Sequence, residues 1–150
     1  MFLFNTDKSP IIYVIQAFSL AVVIASCVGW SISLITVLPD EGPIIELSVV
    51  DIIGSIIIGP LIESVLMLPF MWLLSTFIER TIIIALLNAT LWSFIHSLSY
   101  PLWGVFTFSS FVIFTISYQV WRDISTKFAF LIMFGIHALL NLFVVLVMSM

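Results

Sequence analysis

Charged residues leave long gaps in this chain: from Lys8 to Asp40 there is none, from Asp51 to Glu79 only Glu63, from Thr81 to Trp121 none, and none after Lys127. A bilayer crossing needs roughly 20 apolar residues, so each gap is long enough to span. Lipid gives backbone amides and carbonyls no partner, which restricts a spanning chain to helices or a closed barrel. Barrel strands read as short alternating segments, and these runs are continuous. The stretch 81–121 is about twice one crossing, and Ser99-Tyr100-Pro101 near its middle predicts a hairpin, because proline disfavours helix at the residue before it. The expectation is an all-α integral membrane bundle of five helices, a single domain over residues 1–150 with spans near 10–38, 50–78, 81–99, 102–120 and 128–149. With 63% hydrophobic and 8% charged residues the chain lies far from the soluble balance.

Orientation follows from the four basic residues. Lys8, Arg80, Arg122 and Lys127 all fall on one side of a five-span path, and Asp40, Glu41, Glu46 and Asp51 fall on the other. Lys and Arg collect in cytoplasmic loops, which predicts the N-terminus inside and the C-terminus outside. The formal net charge of −4 then belongs mainly to the outer loop near 39–49, where Pro39, Gly42 and Pro43 break regular structure. No basic patch offers a nucleic-acid surface.

Several local patterns need a plain reading. Cys27 excludes an intrachain disulfide and reads as a small hydrophobe on the first helix. Ile24-Ala25-Ser26-Cys27 also resembles a lipoprotein cleavage box, against which the apolar run continues to Leu38. Asn88-Ala89-Thr90 fits a glycosylation acceptor but falls within the third span. Tyr100, Trp103, Tyr118 and Trp121 suit an interfacial aromatic belt.

Against this background Glu63, His96, His137 and Asn141 stand out, because an intramembrane ionisable group is a functional hypothesis by default. His137 and Asn141 are four apart, on one face of the last span. Taken alone they also suit interhelical hydrogen bonding. Glu63 and His96 come from other helices, and an unpaired carboxyl in hydrocarbon is hard to explain as packing. If the helices bring Glu63 and His96 to a common water, the carboxylate can take its proton as general base while the imidazole orients it. His137 and Asn141 would then donate to the oxyanion of a cleaved amide. The same Glu and two His also match the three protein ligands of a catalytic zinc, although no HExxH pair is present. A serine or cysteine nucleophile has no Gly-x-Ser-x-Gly turn to sit on.

At these residues the chain resembles the CAAX protease and bacteriocin-processing (Abi) family of type II CAAX prenyl endopeptidase-like membrane proteins. The family's Glu-Glu pair followed by Arg reads here as Glu63-Ser64 with Leu68, its Phe-x-x-x-His as Trp92-x-x-x-His96, and its His-x-x-x-Asn as His137-x-x-x-Asn141. The likeness covers about Val50 to Met150, and the aromatic run after His96 is similar to that of bacterial members. The resemblance implies a metal-independent, cofactor-free glutamate endopeptidase of a bacterial inner membrane. Glu63 and His96 would activate water, His137 and Asn141 would form the oxyanion hole, and the substrate would be a peptide or lipidated peptide among membrane lipids. Ser64, Leu68 and Trp92 depart from the pattern. A non-catalytic immunity or assembly factor on the same fold, and a small transporter with an intramembrane Glu and His, are the other functional classes the sequence allows. One mismatch is geometric: on upright helices His96 lies far from the cytoplasmic end of its span and His137 nearer to it. Pro60 and Pro69 mark the second span as a place for bending.

Overall fold

The computed structural model describes residues 2–35 and 48–148. Its helices are α1 (Pro10–Ser33), α2 (Val49–Ile53), α3 (Gly59–Phe77), α4 (Thr81–Ser99), α5 (Trp103–Trp121) and α6 (Thr126–Met148). A π-helical turn, Gly54–Ile58, joins α2 to α3, so that Val49–Phe77 makes one candidate span and, among the described residues, five helices are long and apolar enough to cross a membrane. No strand occurs among the described residues. The helix that was expected to run to Leu38 ends at Ser33. The loop near 39–49, with Pro39, Asp40, Glu41, Gly42, Pro43 and Glu46, lies outside the described residues up to position 47.

The helix ends follow local chemistry. Ser9 precedes Pro10, which sits in the first turn where its missing N–H costs nothing, and the Ser9 side chain accepts from the Ile12 amide. Ser48 caps α2 through the Asp51 amide at 3.1 Å, with Asp51 in the first turn facing the positive end of the helix dipole. Ser99 ends α4, and Tyr100 turns extended ahead of Pro101, as the proline predicts.

Helix α5 is the hub: 50% of its most apolar window is buried, against 11% for Val49–Phe77. On its one side lies α4, in the most extensive helix pair of the bundle, and α1 and α6 pack on the others. Small residues permit this. Ala17 and Ala21 follow Tyr13 at four-residue steps on the buried face of α1, and the two alanines are small enough to let helices in lipid approach closely. Gly104 does the same between α4 and α5, where a Cβ would overlap the Ser93 carbonyl and the Ser97 hydroxyl. The Tyr13 hydroxyl donates to the Leu3 carbonyl at 2.9 Å, tying the Phe2–Phe4 turn onto the bundle.

One expectation is overturned by the structure and another is given its physical reason. Trp121 is not an exposed belt residue: it is 4% exposed and packs edge-on against Tyr13 at 5.4 Å. Asn88 is fully buried and donates to Thr115 Oγ1 at 2.7 Å, which accounts for an asparagine inside a span without any glycan. Cys27 lies within the continuous helix α1 and is exposed on its outer side.

Candidate functional site

Three of the four polar residues singled out by sequence meet. Glu63 on α3 turns its Oε2 toward His137 Nε2 on α6 at 3.5 Å and His96 Nε2 on α4 at 3.8 Å. The depth mismatch expected from upright helices is thus bridged. One contribution is that α6 begins at Thr126, two residues before the expected start, which sets His137 about 3 Å deeper along its helix.

Both histidines are held on their far sides. His96 Nδ1 lies 2.9 Å from the Trp92 carbonyl one turn back. A carbonyl only accepts, so this contact places the proton of a neutral His96 on Nδ1 and turns the lone pair of Nε2 toward Glu63. His137 is 4% exposed. Phe114 stacks on its ring at 4.5 Å and 28°, and Phe111 stands edge-on to both imidazoles, at 5.0 Å from His96 and 5.9 Å from His137. The Nδ1 of His137 is buried with no hydrogen-bond partner among the described residues. An orphaned buried N–H is the rarer and costlier case, which favours the tautomer whose proton is on Nε2, facing Glu63.

The carboxyl oxygen therefore faces one nitrogen lone pair and one N–H. Neither distance is that of a short, direct hydrogen bond, and Glu63 Oε2 has no hydrogen-bond partner among the described residues. The Glu63 side chain is 28% exposed and that of His96 18%, so the trio is covered on the α6 side and reachable on the other. Nitrogen-15 spectra of ring-labelled protein in bilayers are expected to show neutral His96 as the Nδ1–H tautomer. An Nε2–H signal for His96 would remove the assignment of its lone pair to the site.

Asn141 does not join the trio with its amide nitrogen: Nδ2 donates to the Ser55 carbonyl in the π-helical turn at 2.8 Å. Ser64, next to Glu63, is fully buried, and Leu68 is half-buried against the apolar core. Small or apolar groups thus occupy both positions. Among the described residues no group of three or more His, Cys, Asp and Glu side chains is arranged to hold a metal ion.

Phe111, Phe114 and Ser55 escaped the sequence reading. Phe111 and Phe114 are hidden in an aromatic-rich run, and only their i, i+3 spacing marks them as sharing a face. Ser55 is signalled by the glycines and proline around it. Compared with known protein families, with curated proteins and with solved structures, the chain has no match.

Proposed function

We propose that the protein is an intramembrane peptidase in which Glu63 acts as general base on water. The observation that carries this reading is the approach of two imidazoles from two helices to a single carboxyl oxygen of a third. Glu63 takes one proton from water, and the His96 Nε2 lone pair holds the other. The resulting hydroxide adds to the substrate carbonyl carbon, and the carbonyl oxygen becomes an oxyanion facing the N–H of His137. The proton held by Glu63 then passes to the amide nitrogen as the C–N bond breaks, giving an acid and an amine and restoring the carboxylate. Metal enters no step, so the rate is expected to survive chelation.

This is the activity implied by the resemblance to the CAAX protease and bacteriocin-processing family. The substrate class is a peptide or lipidated peptide delivered within the bilayer. Support comes from the five apolar helices of the bundle and from the partial exposure of Glu63 and His96. Burial of Ser64 and apolar packing of Leu68 favour, as a second reading, a non-catalytic membrane protein that uses the same polar centre for binding. One assay separates the two. The purified protein in liposomes is incubated with a library of farnesylated and unmodified peptides, and cleavage is followed by mass spectrometry. Glu63→Gln keeps the shape and removes the base, and is expected to lower cleavage by about 10²–10⁴-fold. Cleavage that persists in Glu63→Gln sinks the proposal, and binding without cleavage by the parent chain supports the second reading.

A further inference from the structure

Asn141 has a role in the fold that neither the spacing of the site residues nor the resemblance suggests. Within a helix the Ser55 carbonyl would accept from the amide of residue 59, or of residue 60 where the helix opens to the π form. Neither is available. The Gly59 N–H donates to the Gly54 carbonyl, and Pro60 has no N–H to give. The sequence Gly54-Ser55…Gly59-Pro60 therefore strips one backbone acceptor of its donor inside an apolar span, where an unsatisfied carbonyl is costly.

The missing donor arrives from another helix. Asn141 Nδ2 on α6 reaches the Ser55 oxygen at 2.8 Å. One turn earlier on the same face of α6 is His137, 3.5 Å from Glu63, which lies downstream of Ser55 on the same span. The two contacts run antiparallel, Ser55 to Asn141 and Glu63 to His137. Together they fix the axial register of one helix on the other.

We infer that Asn141 is a positioning residue: it completes the backbone of the π-helical turn and thereby sets Glu63 opposite His137. As a statement about catalysis this rests on the peptidase reading; as a statement about helix register it does not. An oxyanion donor and a backbone-completing donor differ in one testable respect. Only the latter is coupled to Pro60, because replacing that proline restores an N–H at the position that can serve Ser55 in the π register.

The test is a double-mutant cycle of Asn141→Leu and Pro60→Ala, read by thermal unfolding in detergent and by the ring nitrogen-15 signals of His137. Asn141→Leu alone is expected to lower Tm by about 5 °C and to shift the His137 signals. Pro60→Ala in the Asn141→Leu background is expected to recover at least half of the lost Tm. Where Asn141→Leu does not assemble, recovery of a folded protein in the double variant is the same result, and Asn141→Ala repeats the cycle with a smaller side chain. Additive losses, or no rescue of assembly, overturn the inference. These readouts need no substrate. A chain that shows the coupling but cleaves nothing leaves the register role standing and removes only the peptidase reading.

Discussion

Replacing Glu63 by leucine is expected to destroy cleavage and stabilise the protein in the same stroke. The Glu63 carboxyl sits on an apolar span with a buried oxygen that lacks a hydrogen-bond partner among the described residues. Its nearest polar neighbours are imidazole nitrogens at 3.5 and 3.8 Å, too far for strong compensating bonds. A buried polar atom without a hydrogen-bond partner carries a desolvation cost of about 1–3 kcal/mol, which an apolar side chain of similar volume removes. The expected rise in Tm is several degrees, about 3 °C for each kcal/mol in a chain of this size. Cleavage should fall by about 10³-fold or more, since the proposed general base and its charge are both gone. Detergent melts followed by tryptophan fluorescence, run beside the peptide assay, read both quantities. A lower Tm in Glu63→Leu would mean that the trio is interhelical glue, and the functional reading would lose its main physical argument.

The second large effect belongs to Gly104. A methyl group here would overlap the Ser93 carbonyl, which is backbone and cannot swing aside, as well as the Ser97 hydroxyl. Relief requires α4 and α5 to separate, in the most extensive helix pair of the bundle. Overpacking of this sort costs about 3 kcal/mol, so Gly104→Ala is expected to lower Tm by about 9 °C. His96 lies between Ser93 and Ser97 on the strained segment, and its edge contact with Phe111 at 5.0 Å would be disturbed. Cleavage should therefore fall even at temperatures where the variant is folded. Gly135→Ala is the matched control. A Cβ there meets only Val14 at 3.9 Å, ordinary contact, and neither Tm nor cleavage should change. Equal behaviour of the two variants would contradict the close approach at Gly104.

Most of the fold was legible because membrane helices announce themselves by length. Gaps between charges placed every break in the path but one, and Pro101 located that one, the α4–α5 turn. Side-chain direction was harder. Trp121 looks like an interfacial anchor when judged by residue type, yet it faces inward, because the Phe2–Phe4 turn and Tyr13 close over that end of the bundle. Glu63, His96 and His137 were recognisable since polar atoms in hydrocarbon are rare enough to draw attention singly. Asn141 drew the same attention, but its contact depends on a backbone vacancy that arises only when Gly59 and Pro60 are considered together. The aromatic support of the histidines was illegible for the opposite reason: in a run as rich in phenylalanine as 106–114, nothing distinguishes Phe111 and Phe114 until α4 and α6 are set beside them.

The uneven burial of the helices has a consequence for how the trio moves. His96 and His137 belong to α4 and α6, which are anchored to α5, whereas Glu63 rides on the span with the least buried surface. Regions with few buried contacts open at the lowest free energy. Support is therefore divided unequally across the polar centre: the two rings share the frame of α5, and the acid is carried by the least buried span, tied to α6 at its Ser55 end. Any parting of the carboxyl oxygen from its two nitrogen neighbours is expected to begin with α3 rather than with α4 or α6.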